Sequence, residues 1–278
     1  MAKRQQKRAG GAVAAAAVLM ACACATGCSA SGAALDGTHG ADAVQTVRRA
    51  ADTLVDAGSS RARTSMEMAT GGTRVTIRGE GVYDYRGRLG RLKVMLPQDP
   101  AGTSEHRPIT ELLAPGALFM KNRGAGVPAD KWVRVDTASL SDGNLVTGGA
   151  TDPLVAAEVL RGTRTATYVG ATELAGTEVR HYRGTADLVA AAKGAGAAGK
   201  GVLAAAAKGF ATAAVPFDVY LDDQGRIRKV RHRFSFVNGR RQGTVAVAST
   251  TLLYDFGVAT DVRLPAARDI YAGKIAEG

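Results

Sequence analysis

Two hydrophobic periods alternate along this 278-residue chain. Within 41–57, Val44, Val47, Ala51, Leu54 and Val55 recur at helical spacing, and Gly58 stops the run. That predicts one amphipathic helix. From Arg61 the period becomes two. Val75, Ile77, Gly79, Gly81, Tyr83 and Tyr85 share one face, and Arg74, Thr76, Arg78, Glu80 and Asp84 share the other. This is the pattern of a long half-buried strand. Arg86-Gly87 turns it into a strand over 89–96, with Leu92, Val94 and Leu96 on one face. After a polar loop over 97–108, short strands follow at 109–113, 117–121 and 132–135.

Pro153 opens a second helix, over 153–160, with Asp152 as its cap and Gly162 after it. Strands at 165–173 and 178–186 join at Ala175-Gly176. Residues 187–209 are mostly Ala, Gly and Lys and read as two helical pieces around a Gly-rich centre, because each glycine weakens a helix. A strand over 215–221 turns at Asp222-Asp223-Gln224-Gly225 into 226–237, and a long Val- and Thr-rich strand covers 242–256. A last short strand is expected at 261–264. Short turns pair neighbouring strands antiparallel, and the helices fall between blocks of strands, which argues against a doubly wound parallel sheet. The expectation is one α+β domain over 41–278: a curved antiparallel sheet of about ten strands with its helices on one face.

The N-terminus changes where this domain is placed. Lys3, Arg4, Lys7 and Arg8 precede an Ala/Val/Leu/Met run and then Ala25-Thr26-Gly27-Cys28. A basic head, an apolar core and small residues form a secretory signal. The apolar stretch from residue 12 to 25 is shorter than the ~20 residues needed to span a bilayer. All three cysteines, Cys22, Cys24 and Cys28, lie in this segment. Small residues ending in Cys resemble a bacterial lipobox, whose thiol receives a diacylglyceryl group. Cys28 is the expected acylation site, with Cys22 the alternative. Residues 1–28 then form a lipoprotein signal peptide and 29–40 a flexible tether on the outer face of the cell membrane. The folded part has no cysteine and no disulfide.

The head carries four of the cations behind the net charge of +11, and the rest of the excess is scattered Arg. Such charge suits anionic headgroups or cell-wall phosphates, or simply a solvated strand face. No aromatic set is interleaved with it, so nucleic acid is not an expected partner. Catalytic signals are absent. His39, His106, His181 and His232 have no metal-ligand spacing, and no Gly-x-Ser-x-Gly elbow, Ser-x-x-Lys pair or phosphate-cradling loop occurs. The chain is expected to be non-catalytic and to need no cofactor.

What remains is apolar surface. Met66, Met68, Val75, Ile77, Tyr83, Tyr85, Leu92 and Val94 from the first strands fall on one face. Phe119, Phe217, Val219, Leu221, Phe234 and Phe236 are assigned to the same face further on. These side chains either pack a core against the helices or line a cavity for an acyl chain. Periodicity does not separate the two readings.

A resemblance spans about residues 60 to 260. It is carried by Gly81-Val82-Tyr83-Asp84-Tyr85, by Leu118-Phe119-Met120 followed by Lys131-Trp132-Val133-Arg134-Val135-Asp136, and by Ala175-Gly176-Thr177-Glu178-Val179-Arg180-His181-Tyr182. Near the end it is carried by Val215-Pro216-Phe217-Asp218-Val219-Tyr220-Leu221-Asp222-Asp223-Gln224-Gly225 and Tyr254-Asp255-Phe256-Gly257. In these residues the chain resembles the LppX/LprG (LppX_LprAFG) family of actinobacterial lipoproteins. The resemblance implies a strongly bent half-barrel, similar to that of LolA/LolB carriers, with helices over its concave side. It also implies a hydrophobic cavity for an acyl-chain lipid or lipoglycan, and an envelope transporter as partner. An envelope interaction or sensory ectodomain with a packed interior is the alternative.

Overall fold

The computed structural model describes residues 31–70, 72–97, 107–124, 126–148, 150–238 and 243–273. The signal segment with its cysteines lies outside the described residues. Helix α1 (Ser31–Asp56) leads into six strands: β1 (Ser59–Thr70), β2 (Thr73–Asp84), β3 (Leu89–Met95), β4 (Ile109–Ala114), β5 (Ala117–Lys121) and β6 (Val133–Asp136). Helix α2 (Pro153–Val159) precedes β7 (Thr163–Leu174) and β8 (Thr177–Asp187). Helices α3 (Leu188–Gly194) and α4 (Ala197–Gly209) precede β9 (Ala214–Leu221), β10 (Ile227–Asn238) and β11 (Gly243–Tyr254).

All eleven strands form one open antiparallel sheet, in the order β6-β5-β4-β3-β2-β1-β11-β10-β9-β8-β7. The chain makes two meanders, β1 to β6 and β7 to β11, joined where β1 pairs with β11. Because β6 and β7 are opposite edges, the segment between them must cross the whole sheet. It does so on the concave side, and this places α2 over the interior. The α3–α4 insertion lies on the same side. The architecture is the expected α+β sheet with helices over its concave face.

Local chemistry explains the elements. α1 buries Ala43, Val47, Ala50, Ala51 and Leu54, a stripe with the 3.6-residue period. Asp152 caps α2: its Oδ1 accepts from the Leu154 and Val155 amides, and Pro153 follows. The β7–β8 hairpin turns through Ala175 (φ 49°) and Gly176 (φ 79°), the left-handed pair of a tight hairpin.

Three boundaries differ from the sequence reading. The stretch from Arg61 to Tyr85 is two strands, with the reversal between Thr70 and Thr73 and Gly72 at φ 85°. The helix begins at Ser31, so most of the span read as a flexible tether has helical backbone. Ala33, Ala34 and Leu35 favour that state, and extending a formed helix avoids the cost of nucleation. Residues 261–264 join no ladder. Val262 and Ile270 instead pack on a small cluster of Leu112, Ala117 and Phe119. The tail bonds to the edge beside β6, where the Trp132 amide donates to Asp269 O and Tyr271 N donates to Trp132 O, each at 2.8 Å.

Candidate functional site

Cross-strand register sorts the concave side chains into rows. One row runs Val133, Met120, Glu111, Leu92, Gly81, Ala62 and Leu253. The next runs Ile109, Val94, Gly79, Thr64, Thr251, Val230, Val219 and Tyr182. The third runs Ile77, Met66, Ser249, His232, Phe217, Gly184 and Ala166. Thirteen of the fourteen sequence-predicted residues meet in one interior cluster. Met66, Ile77, Tyr83, Tyr85, Leu92, Val94, Phe217, Val219, Leu221 and Phe234 are buried in it, and Met68, Val75 and Phe236 pack against it.

Phe119 is the exception. It stands opposite Leu112 and Arg134, on the outer face of the sheet, in the separate cluster with Leu112 and Ala117. The reason is local. Ala117-Leu118-Phe119-Met120 is apolar and buried at four consecutive positions, so alternation marks no face there. Leu118 and Met120 hold the interior positions instead.

Among the described residues the interior is a densely buried apolar cluster. At the seam between the sheet and the helical layer lies a crevice of about 40 Å³, room for about one water, against the roughly 300–1,000 Å³ of a typical ligand pocket. Its lining mixes apolar side chains, Leu113, Leu154, Val155 and Val202, with polar ones, Arg88, Thr137, Asp152 and Glu158. A Cβ on Gly199 of α4 would meet Glu158 Oε2, so a larger residue there would have to displace that carboxylate. Burial pushes the Glu158 carboxyl up, against the pull of Arg161 and Arg88.

Polar groups interrupt the apolar rows. Tyr83 donates to Asp152 Oδ2 at 3.1 Å, and Ser60 and Tyr85 share a 2.6 Å hydrogen bond. Burial pushes the Asp152 carboxyl up to about 6, although the Val155 and Leu154 amides and the Tyr83 hydroxyl hold it down in part. Thr151 Oγ1 bonds both Ser249 Oγ (2.6 Å) and the Leu145 carbonyl (3.0 Å), which ties the crossing segment to β11. Glu111 is fully buried, and desolvation raises it to about 8, with Arg123 opposing. Burial lowers His232 to about 3, so it is neutral at pH 7.

Solved structures similar to this chain include the following three, each at low identity. Lipoprotein LppX of Mycobacterium tuberculosis matches 80% of this chain and 99% of its own, at 10% identity and a TM-score of 0.48. LprF of Mycobacterium bovis matches 82% of this chain and 98% of its own, at 13% identity and a TM-score of 0.40. A LolA superfamily protein of Nitrosomonas europaea matches 77% of this chain and 94% of its own, at 10% identity and a TM-score of 0.33. No family model and no curated protein matches the chain. These similarities assign no ligand and no residue role, so the function has to be argued from the interior itself.

Sequence patterning missed Glu111, Asp152 and Thr151 as interior groups. Glu111 stands between Ile109 and Leu113 on the buried face of β4, and its alternation with apolar neighbours was the available signal. Asp152 was legible only as a cap. His181, next to Tyr182, lies on the outer face, stacked on Tyr220 with ring centroids 4.3 Å apart. Its Nε2 is 2.8 Å from Asp218 Oδ1, a carboxylate that also accepts from Arg183 Nε (2.8 Å) and Arg233 Nη2 (2.9 Å).

Proposed function

We propose that this chain is a non-catalytic lipid-binding protein of the cell envelope. In this reading it takes an acyl chain between the curved sheet and the helices when the helical cover lifts. The observation that carries the reading is the composition of that cover. Nine of the thirteen residues of α4 are Ala or Gly, and its large buried side chains are Val202 and Leu203. α4 packs on α2, α3 and the 3-10 turn Thr137–Ser139. Exposing two branched side chains costs roughly 1.5–3 kcal/mol each. Burial of an acyl chain contributes ~0.8 kcal/mol per methylene, so roughly four to eight methylenes offset the opening. The mixed polar and apolar lining of the crevice suits an amphipathic guest, an acyl-chain lipid or a lipoglycan.

The same proposal places the domain on the outer face of the membrane, with residues 1–28 as a signal peptide and Cys28 carrying a diacylglyceryl anchor. An envelope transporter would be its partner. Metabolic labelling with a palmitate analogue tests the anchor. Label is expected to persist in Cys22→Ser and vanish in Cys28→Ser, and the reverse result would move the anchor to Cys22.

Native mass spectrometry of the full chain, together with titration of a fluorescent fatty acid, tests the ligand class. Copurified lipid mass or saturable uptake is expected. A clean apo mass with no uptake would favour the second reading, an interaction ectodomain with a packed interior. The specific observation behind that reading is the full burial of Tyr85, Leu92, Phe217 and Leu221 in a closed core.

A further inference from the structure

The convex face of the sheet carries cations where the concave face carries the core. Register sorts its side chains into rows as well. In one row Arg183, Asp218, Arg231, Thr250, Ser65 and Arg78 follow one another from β8 to β2. In the next, Lys229, Leu252, Arg63, Glu80 and Lys93 run from β10 to β3. In a third, Arg61, Val82 and Arg91 run from β1 to β3. The nearby carboxylates are engaged. Asp218 accepts from Arg183 and Arg233, Glu67 lies 3.5 Å from Arg231, and Glu80 lies 3.9 Å from Arg63. Arg78, Arg91 and Lys93 are exposed, and among the described residues none of them has a carboxylate partner. Two large apolar side chains stand exposed in the same field. Leu252, 38% exposed, lies between Lys229 and Arg63, and Met95, 42% exposed, stands opposite Arg78. Arg63, Arg78, Met95 and Leu252 line one shallow groove. Strand β1 is the middle strand of the sheet, so this groove lies at the crest of the convex side.

Unpaired cations beside exposed apolar side chains match the boundary of a bilayer. The charges meet anionic headgroups, and the apolar groups enter the layer just below them. A soluble phosphate polymer would engage the cations and gain nothing from Leu252 and Met95, so the combination favours the membrane. The crest of a convex sheet is also the part that a flat surface meets first. We infer that the crest of the convex face, with Arg63, Arg78, Arg91, Lys93, Met95 and Leu252, docks on an anionic phospholipid bilayer. The docked domain lies sheet down and turns its helical cover away from the membrane. The inference goes beyond the lipid-binding reading and needs neither a cargo nor the Cys28 anchor.

The test uses the full chain with Cys22, Cys24 and Cys28 replaced by Ser and Lys3, Arg4, Lys7 and Arg8 replaced by Gln, so that neither an anchor nor the basic head holds it to lipid. Cosedimentation is measured with vesicles of phosphatidylcholine, with vesicles of equal parts phosphatidylcholine and phosphatidylglycerol, and beside them binding to soluble polyphosphate. This parent chain is expected to prefer the mixed vesicles and to leave them in about 0.5 M sodium chloride, where charges are screened beyond ~4 Å. Arg78→Gln, Arg91→Gln and Lys93→Gln together should weaken binding to the mixed vesicles at least about tenfold. The melting temperature should stay at the parent value, because the three groups hold no ion pair. Lys193→Gln, Lys200→Gln and Lys208→Gln together remove the same charge from α3 and α4, and should leave binding within about twofold of the parent. Lys93→Glu alone, one exposed change, should weaken binding several-fold and keeps the test independent of how the triple variant folds. Met95→Ser with Leu252→Ser should weaken vesicle binding and leave polyphosphate binding unchanged. Equal losses in the two triple variants, unchanged binding in the convex one, or a parent that stays bound at high salt overturns the docking face. A parent that binds polyphosphate and ignores the mixed vesicles overturns the bilayer as its partner.

Discussion

Tyr83 donates its phenolic hydrogen to Asp152 Oδ2 at 3.1 Å, and so joins the concave face of β2 to the first turn of α2. The same carboxylate caps that helix through its other oxygen. One side chain thus fixes both the helix start and its seat on the sheet. Asp152→Ala removes the cap, which costs about 0.5–2 kcal/mol. It also orphans the buried Tyr83 hydroxyl, at roughly 1–3 kcal/mol more. Tyr83→Phe removes one hydrogen bond and costs about 1 kcal/mol. Urea denaturation should rank the two in that order, and equal losses would show that the carboxylate acts through the tyrosine alone.

A second prediction concerns pH. An acid held above its ordinary value makes the folded state bind the extra proton, so its stability contribution fades as pH rises through that interval. For Glu111 the interval runs from 4.5 to about 8, and for Asp152 from 3.8 to about 6. A buried neutral imidazole acts in the opposite direction. For His232, stability is lost as pH falls from 6.5 toward 3. The two penalties cross in mildly acidic solution. Between 4.5 and about 6 two acids oppose one imidazole, so the melting temperature should peak at about pH 4 and decline toward pH 8. In Glu111→Gln the alkaline decline should flatten while the acid limb is kept. A wild-type profile that rises from pH 5.5 to 8 would contradict a buried, neutral Glu111.

Much of this interior was legible as a pattern, and the rest was not, for a physical reason. Alternation in β2 and β3 fixes the faces of Tyr83, Leu92 and Val94 because polar residues mark the other side. The run Ala117-Leu118-Phe119-Met120 carries no such mark, and only pairing with Leu112 and Arg134 reveals that Phe119 points outward. The shared interior face of Glu111, Thr64 and His232 depends on register across six adjacent strands, β4, β3, β2, β1, β11 and β10, and no local window contains it. The helical cover was readable from Ala content, but its position over the concave face follows from β6 and β7 being opposite edges.

The outer face offers an electrostatic prediction that leaves the interior untouched. Asp218 has only 6% of its side chain exposed. Burial alone would raise its carboxyl, but hydrogen bonds from Arg183, His181 and Arg233 outweigh it and hold the group at about 2. An acid with a depressed value stabilises the fold above its unfolded value, and the contribution is lost as pH falls through the folded one. Asp218→Asn should therefore lower the melting temperature at pH 7 and flatten the loss of stability between pH 4 and 2. Acid titration followed by circular dichroism reads both effects. An unchanged acid limb would show that the bonds from Arg183, His181 and Arg233 do not set the acid stability of the fold.

Opening of the helical cover can be tested by preventing it. Gly201 of α4 faces the 3-10 turn Thr137–Ser139, and a Cβ built there would lie 3.5 Å from the Ala138 Cβ. That separation is within the roughly 3.5–4.5 Å of a disulfide. Ala138→Cys combined with Gly201→Cys, in a background with Cys22, Cys24 and Cys28 replaced by Ser, should pin α4 to the crossing segment. If lipid enters by lifting of α4, uptake of a fluorescent fatty acid should fall at least about tenfold when the pair is oxidised, the effect of closing off an opening that costs more than about 1.4 kcal/mol. It should return on reduction. The melting temperature should rise with oxidation, which separates a locked cover from a damaged one. Uptake that is equally fast in the oxidised and reduced forms would show that the chain enters elsewhere, and the open edges of the sheet at β6 and β7 would be the places to pin next.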